Sequence, residues 1–243
     1  MQLFSTEAEL KKILLMGLIA FFPAVLFAVQ AGNIEIMDLP TANTLVKGEL
    51  QGDFKFYPGG GIYNRIFVGV FDRLTIGGAL AVDNIIGTGD VNVNLPGFLA
   101  KIRITDDDGS MPAIAIGYEG AGYSDVPQKG AYLAVTKEIS LGSVFAQLTG
   151  TVYKTDFKYL GNDIDAGTGV EFAVTKEFII GAEFDGIFGS ADSKHINGLI
   201  GYFFDPIEID VGIRYGYGNR AGNAGFSDYT LSRVLRITYV TFF

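Results

Sequence analysis

The sequence offers few side chains that could do covalent chemistry, because it contains one histidine, His195, and no cysteine. A lone imidazole can act as a general base near neutral pH, and Asp192, Ser193 and Asn197 lie close to it in the chain. Metal sites that need several histidines are excluded. We interpret His195 as a polar residue where a strand begins, and a barrel-embedded lipid hydrolase centred on His195 is the alternative.

A second candidate site is the run Asp106-Asp107-Asp108-Gly109, which resembles part of a calcium-binding loop. It lacks the alternating oxygen ligands and the acidic residue that closes such a loop, so we predict a solvated turn. The sequence also has no glycine motif of the phosphate-binding or dinucleotide-binding type. It therefore predicts no catalytic residue, no metal site and no cofactor, and a protein that is not an enzyme.

Charged residues recur instead at alternate positions of short apolar segments. If the apolar faces look outward, these charges point into an interior where acids and bases are mixed. They could line a narrow water-filled pore, or they could pair across it and close it. The residues predicted to line this lumen are Lys47, Glu49, Asp53, Lys55, Lys101, Arg103, Glu171, Glu183, Asp185, Glu208, Asp210, Arg214 and Arg236.

The end of the chain, residues 228–243, carries the clearest signal for the elements that position these charges. From Leu235 the pattern alternates with period two, which predicts a strand. In a soluble protein such an apolar end strand would promote aggregation, whereas a transmembrane barrel pairs both of its edges. A terminal aromatic after alternating apolar residues also resembles the C-terminal recognition signal of bacterial outer-membrane barrels. We therefore predict Tyr239 and Phe243 as the assembly signal and the barrel-assembly machinery as a partner.

The first strand, which begins at Leu45, shows the same two-sided pattern. Leu50, Phe54 and Phe56 share an apolar face. The opposite face is polar at every position, and its residues are Lys47, Glu49, Gln51, Asp53 and Lys55. Soluble β-sandwiches rarely combine such faces, whereas a barrel with a wet interior does.

Twelve strands of this kind follow one another, and their connections alternate in length. Short turns at one rim and generally longer loops at the other indicate a barrel with both termini in the periplasm. The turn at 58–61 is the exception. The predicted short turns are Asp72-Arg73, 106–110, Lys137-Glu138, Lys176-Glu177 and Asp205-Pro206, and the longer loops lie near 85–97, 119–129, 155–164, 187–195 and 218–227.

One short segment occurs twice in the sequence in similar form. The segments AVTKEISLG at 134–142 and AVTKEFIIG at 173–181 differ at few positions. We interpret them as the same periplasmic turn used twice, and a propeller-like blade repeat is the alternative.

The composition favours strands over membrane-spanning helices. Hydrophobic residues make up 49% of the chain and the mean hydropathy is +0.31, yet the one apolar run that approaches membrane length is N-terminal. The 20 Phe and 12 Tyr residues could supply aromatic girdles although Trp is absent. The net charge of −9 without any basic block makes nucleic acid an unexpected partner.

The N-terminus reads as a targeting segment. Lys11 and Lys12 precede the apolar stretch 13–29, and Val29-Gln30-Ala31 has small residues suited to cleavage. We predict a signal peptide at 1–31, a short periplasmic lead-in at 32–43 and a barrel at 44–243. A single transmembrane anchor is the alternative for the first segment.

Four segments, at 58–61, 69–73, 83–87 and 112–117, resemble the barrel portion of the YjbH-type exopolysaccharide-associated outer-membrane proteins. The resemblance covers about a quarter of the chain. It implies an association with the cell envelope or with polysaccharide export, and it transfers no site residue.

These observations predict an all-β protein, a transmembrane antiparallel up-and-down β-barrel of the bacterial outer membrane. Its expected function is that of a small channel or an envelope-associated barrel with a mixed-charge lumen. The expected partners are outer-membrane lipid, the barrel-assembly machinery and a small solute or a polysaccharide. A secreted soluble all-β protein is the other alternative.

Overall fold

A computed structural model of the protein describes residues 33–87, 89–123, 126, 128–154, 164–188, 194–217 and 229–243, except for the side chains of 217, 229 and 230. The predicted signal peptide at 1–31 lies outside these residues. None of the described segments is a helix long and apolar enough to cross a membrane.

The described chain consists mainly of antiparallel strands. Twelve of them form one barrel, and β4, which is two residues long, pairs only with the end of β3. The strands are β1 (Glu49–Tyr57), β2 (Gly61–Phe71), β3 (Leu74–Asp83), β4 (Asn92–Val93), β5 (Gly97–Thr105), β6 (Ala113–Glu119), β7 (Gly130–Leu141), β8 (Val144–Lys154), β9 (Ile164–Ala173), β10 (Phe178–Asp185), β11 (His195–Phe204), β12 (Ile207–Tyr217) and β13 (Tyr229–Phe242).

The first and last strands close the sheet. Strand β1 pairs with β13 from Glu49↔Phe242 to Phe56↔Leu235, and it pairs with β2 on its other side. Each of the twelve barrel strands therefore has a hydrogen-bonded neighbour on both sides. This closure satisfies the backbone without an open edge, as a bilayer requires. The predicted antiparallel barrel of about twelve strands is confirmed.

The two rims of the barrel differ as predicted. One rim, the turn rim, carries the connections 72–73, 106–112, 142–143, 174–177 and 205–206 together with the end of β13. The opposite loop rim carries the other connections between barrel strands, among them the long segment 84–96 that contains β4. The three-residue turn at 58–60 is the short connection on the loop rim.

One predicted turn is in the wrong place. Lys137 and Glu138 lie within β7, and the chain reverses at Gly142, whose φ of 73° suits a residue without a Cβ. The reason is an anchor on the neighbouring turn, because Asp107 accepts hydrogen bonds from Lys137 Nζ at 2.5 Å and from the Glu138 N–H at 2.8 Å. The second copy of the repeated segment does fall in the turn 174–177, so the two copies play different structural roles within one barrel.

The outward face forms an apolar belt with aromatic residues near its two borders. Ile200, in the middle of β11, is 56% exposed and lies beside Ile180 and Val211 of the adjacent strands. Exposed aromatic side chains near the turn rim are Phe71, Phe145, Tyr202, Phe204 and Phe243, and those near the loop rim are Phe98, Tyr118 and Tyr215. Phe and Tyr thus occupy the positions of aromatic girdles without Trp.

The apolar belt predicts that the free-energy cost of an outward-facing charge depends strongly on its depth in the bilayer. We expect Ile200→Arg to destabilise the barrel in lipid by about 2–4 kcal/mol, because its side chain meets lipid near the bilayer midplane. Leu50→Arg, close to the turn rim, should cost less because the arginine can reach the headgroups. Refolding titrations in one lipid would measure both, and equal costs would contradict the membrane belt.

Candidate functional site: the occupied lumen

The lumen is occupied by the chain segment that precedes β1. Residues 33–45, which we call the N-terminal hairpin, rise from the turn rim and fold back on themselves. The Ile36 N–H donates to the Leu39 carbonyl at 3.0 Å and the Thr41 N–H donates to the Ile34 carbonyl at 3.1 Å. Apart from Asn33, which is partly exposed, every residue of the hairpin is buried. The described part of the predicted lead-in at 32–43 therefore lies inside the barrel.

The two ends of the hairpin identify its path. Near the turn rim, the Leu45 N–H donates to Thr75 Oγ1 at 2.8 Å. Near the loop rim, the N–H groups of Met37, Asp38 and Leu39 all donate to the carboxylate of Glu183, at 2.9–3.1 Å. The hairpin thus extends from the turn rim through most of the barrel wall's height.

Side chains of the wall provide the hydrogen-bond partners that a neighbouring strand would otherwise supply. Thr151 Oγ1 donates to the Pro40 carbonyl, Lys101 Nζ to the Ile34 carbonyl and Arg236 Nη1 to the Ile36 carbonyl, each at 2.6 Å. Buried backbone groups need such partners, since an unpaired one costs about 1–3 kcal/mol.

The carboxylate of Glu35 lies among three cationic side chains of β1, β2 and β13. Both terminal nitrogens of Arg65 donate to it, and Lys55 Nζ lies 2.9 Å from Oε1. Arg236 Nη1 is 3.5 Å from the same oxygen. The bidentate guanidinium contact is among the stronger ways to hold a carboxylate.

The carboxylate of Asp38 is held near the tip of the hairpin. Lys55 Nζ lies 2.9 Å from Oδ1, and Arg214 Nη2 donates to Oδ2. The Asn197 amide donates to Oδ2 at 3.1 Å, and the Tyr123 hydroxyl donates to Oδ1. One ammonium group, that of Lys55, therefore bridges both carboxylates of the hairpin.

Tyr123 brings the β6–β7 connection into the same site. Its ring stacks on Tyr63 with a centroid distance of 4.9 Å, and it lies 5.2 Å from Lys55 Nζ and 5.4 Å from the Arg214 guanidinium carbon. Cations over an aromatic face are stabilised by its quadrupole. Four described residues of this connection, Ala121, Tyr123, Val126 and Lys129, are buried, so the connection also occupies the loop side of the lumen.

Glycines of the wall provide the space for the hairpin. A Cβ on Gly167 would lie 2.4 Å from Leu39 Cδ1, and a Cβ on Gly169 would lie 2.5 Å from Ile36 Cδ1. On β12, a Cβ on Gly212 would lie 2.3 Å from Met37 Cε. The sequence suggested that glycines relieve crowding where strands bend, and at these positions they accommodate apolar side chains of the hairpin.

Most predicted lumen residues do lie in the lumen. They are buried on the inward face of their strands and are Glu49, Asp53, Lys55, Lys101, Glu171, Glu183, Asp185, Glu208, Asp210, Arg214 and Arg236. Neither of the two expected arrangements, an open pore or charges paired across it, describes their contacts fully. Several of these charges pair with one another, as Arg236 does with Asp210 at 2.6 Å, and others contact the hairpin between them.

Two predicted lumen residues lie elsewhere. Lys47 is exposed in the turn that leads into β1, because the strand begins only after Gly48, whose φ is 84°. Arg103 lies at the turn rim, where its side chain is 23% exposed and its Nε lies 3.0 Å from Asp106. Arg103 lies on the same face of β5 as Lys101. However, β5 ends at the turn rim two residues later, so the Arg103 side chain is partly exposed to solvent instead of being buried in the lumen.

Several functional residues were missed by sequence reasoning, and Arg65 is the most important of them. Its strand β2 turns Tyr63 and Phe67 inward, so neither face of the strand is uniformly polar. These inward aromatics pack against the hairpin and its neighbours rather than facing water. Glu35, Asp38, Glu119 and Lys129 were missed because they lie outside the segments with clear alternation or at their ends.

A small cavity remains between the hairpin and the wall. It has a volume of about 30 Å³ and is bordered by Glu35, Arg65, Lys101, Glu119 and other residues of β2, β3, β5, β6 and β7. This is room for about two water molecules, not for a solute path. Between the hairpin and this part of the wall, the described residues therefore leave no path for a solute.

The other two candidate sites contribute little to this picture. His195 is buried at the beginning of β11, while Asp192 and Ser193 lie outside the described residues. Asn197, the remaining neighbour, belongs to the hairpin site because it also donates to Glu183 at 2.5 Å. The alternative of a hydrolase therefore gains no support from Asn197.

The acidic turn at 106–110 uses its carboxylates internally. Asp107 accepts from Lys137 Nζ, and this hydrogen bond, together with those from the Glu138 and Gly109 N–H groups, lowers the pKa of Asp107 to about 2. Asp108 accepts from the Ser110 and Met111 N–H groups at 2.9 and 2.7 Å. Across the described chain, no group of histidine and acidic side chains could hold a metal ion. The carboxylates of Asp107 and Asp108 thus stabilise the turn itself and its contact with β7.

The glycine contacts predict a specific steric effect. Gly212→Leu should displace Met37 and expose the hairpin to protease, because a Cβ alone already overlaps Met37 Cε. Gly198→Leu is the matched control, since it faces outward on the adjacent strand with nothing within 4 Å of its added Cβ. Limited proteolysis of the folded barrel, followed by N-terminal mass analysis, would show the difference. Equal resistance of both variants would contradict the placement of the hairpin.

The chain matches no family model and no curated protein. Among solved structures it is similar to the KdgM porin, with 11% identity, coverage of 79% of this chain and 98% of that chain, and a TM-score of 0.50. It is also similar to the COG4313 outer membrane channel from Pseudomonas putida F1, with 14% identity, coverage of 88% and 100%, and a TM-score of 0.51. The likeness shows that the chain has the fold of outer-membrane channel barrels, and neither neighbour is named as an enzyme.

Proposed function

We propose that the protein is a small channel of the bacterial outer membrane that is closed by its own N-terminal hairpin. The observation that carries this proposal is that the hairpin fills the lumen without belonging to the wall. Among the described residues, the barrel's strand pairing runs through all twelve barrel strands and does not include residues 33–45. The hairpin can therefore leave without breaking a hydrogen bond between barrel strands.

If the hairpin left the lumen, the inner face of the wall that it now covers would be polar enough to be hydrated. Glu183, Arg65 and Lys101 all contact the hairpin through polar, ionisable groups, which water can solvate once the hairpin has moved. A buried ion pair is often worth little against its hydrated components, since desolvation offsets much of the attraction. The closed state is thus held by many contacts of modest net strength, which is compatible with a gate.

The size of the barrel is also suitable. A wall of twelve strands encloses more space than the filled eight-stranded barrels and less than the large porins. Its expected cargo is a small polar solute. Outer-membrane lipid would contact the apolar belt.

A second candidate follows from the same closed lumen. A barrel that never opens would fit an envelope role, such as the association with polysaccharide export that the YjbH-type resemblance implies. Conductance distinguishes the two functions, because only a channel must open.

The gate can be tested with a disulfide that locks the hairpin. Leu39 Cδ1 lies 2.4 Å from the position of a Cβ on Gly167, so cysteines at 39 and 167 can reach disulfide geometry, which needs Cβ atoms about 4 Å apart. The protein has no cysteine of its own. Asp38→Ala should be added to loosen the hairpin, since it removes the contacts with Lys55 and Arg214.

We expect discrete openings of this triple variant in planar bilayers under reducing conditions and their loss after oxidation. The two single-cysteine variants are the controls and should not respond to oxidation. Conductance that is equal in the oxidised and reduced states would show that the hairpin is not the gate. A folded barrel that never conducts in any state would favour the envelope role.

We also propose that Tyr239 and Phe243 form the signal for the barrel-assembly machinery. Phe243 is 84% exposed at the turn rim, and its N–H donates to the Gly48 carbonyl at 3.1 Å. A side chain in this position is available to a partner at the chain end, while the backbone contact belongs to the barrel.

Replacing the terminal aromatic should separate assembly from synthesis. Phe243→Asp is expected to lower the amount of folded protein in the outer membrane several-fold without changing its synthesis. Phe71→Asp makes the same chemical change at another exposed aromatic of the turn rim and should have a smaller effect. Heat-modifiable migration on gels would report the folded fraction, and equal effects of the two variants would contradict a C-terminal signal.

A further inference from the structure

We propose that the wall around Glu35 and Asp38 is a binding site for a small hydroxylated dicarboxylate, and that this solute competes with the hairpin for it. The inference rests on the proposed function, because it requires the hairpin to leave the lumen. It adds the chemical class of the solute and the cause of opening.

The first argument is the way in which the wall holds two carboxylates. Lys55 Nζ lies 2.9 Å from both Glu35 and Asp38, so the bonded oxygens are no farther apart than twice this distance. Arg65 adds a bidentate contact to Glu35, and Arg214 adds a contact to Asp38. This cradle fits two carboxylates on one short carbon skeleton, since planar guanidinium groups recognise carboxylates by their geometry.

The second argument is that part of the cradle lacks acidic partners of its own in the wall. Among the described residues, Lys55 forms its ion pairs with the two hairpin carboxylates. Arg65 differs, because Asp53 lies 2.9 Å from it and Glu119 lies 3.8 Å away. When the hairpin leaves, the Lys55 ammonium needs a replacement anion or water.

The third argument comes from the opposite side of the lumen. Glu183 on β10 accepts the three N–H groups of the hairpin tip, and Asn197 on β11 lies beside it. Glu171 on β9 and Asp210 on β12 are further buried acids of this part of the wall, which also carries Arg214 of the cradle on β12, whereas Lys55, Arg65 and Lys101 lie on β1, β2 and β5. A solute that replaces the hairpin must therefore carry hydrogen-bond donors opposite its carboxylates, and hydroxyl groups meet this requirement.

The competing explanation is that these residues serve only as a latch for the hairpin. Both explanations require the same contacts in the closed state. They differ in one respect, because only a binding site lets a free solute release the hairpin. Competition is therefore the property to measure.

The test uses the full chain with Ile36→Cys, which places the only thiol of the protein at a fully buried position over Gly169. The rate of maleimide labelling reports how often the hairpin leaves. Three four-carbon probes separate the requirements, since tartrate carries carboxylates and hydroxyls, succinate carries carboxylates alone and threitol carries hydroxyls alone. Sodium chloride at matched ionic strength controls for charge screening.

We expect tartrate to accelerate labelling by about tenfold and with saturation, which is a typical coupling between two competing states. Succinate should act more weakly, and threitol and sodium chloride should have no effect. Lys55→Gln should abolish the response to tartrate, whereas Lys137→Gln, at the turn rim, should keep it. Acceleration by threitol or sodium chloride to the same extent as tartrate would overturn the proposal.

A second variant keeps the proposal testable if Lys55→Gln does not fold. The double variant Glu35→Gln/Asp38→Asn removes the internal competitor but leaves the cradle intact, so calorimetry should show tighter tartrate binding than in the wild type. If tartrate neither binds this variant nor accelerates labelling, the cradle is only a latch. The disulfide-locked conductance test would still stand in that case, because it does not depend on the solute.

Discussion

The constraint on which the structure depends is that every backbone polar group within a membrane must find a partner. The twelve barrel strands meet it by closing β1 onto β13. The N-terminal hairpin cannot meet it in this way, because it lies in the lumen outside the sheet. Side chains must replace the missing strand, and Glu183 does so for three consecutive N–H groups. The charges of the lumen therefore have a structural purpose in the closed state besides any contact with solutes.

The fit of the hairpin combines this polar matching with a steric one. Inward glycines on β9 and β12 lie under Ile36, Met37 and Leu39. The wall therefore leaves space, in place of side chains, where the hairpin is apolar. Cations surround its two carboxylates, so the wall is basic where the hairpin is acidic. The steric match to the glycines and the match of carboxylates to cations both hold for the same position of the hairpin, so together they specify that position. A segment that only filled space in the lumen would need neither match.

Sequence reasoning succeeded where one face of a strand meets lipid and the other meets polar groups, as in β1 and β13. Leu50 and Gln51 alternate as expected, because their surroundings differ at each step. It failed for β2, where Phe67 packs inward against the apolar part of the lumen. It also could not place residues 33–45, which show no period and bind to partners such as Glu183 that are more than 140 positions away. A turn predicted at Lys137 failed for the same reason, since Asp107 of another turn holds that side chain in a strand.

The hairpin is covalently connected to β1, and this connection raises the solute concentration that is needed to displace it. A short covalent connection to β1 keeps Glu35 and Asp38 near their partners at an effective concentration on the order of millimolar. A free solute that makes the same contacts must reach a comparable concentration before it displaces them. It gains an advantage only from contacts that the hairpin does not make, such as additional hydrogen bonds to acidic side chains of the wall. A channel built in this way would stay closed when its solute is scarce and open when the solute is abundant, without any second site. The cationic cradle would then set both which solute passes and when the hairpin yields to it.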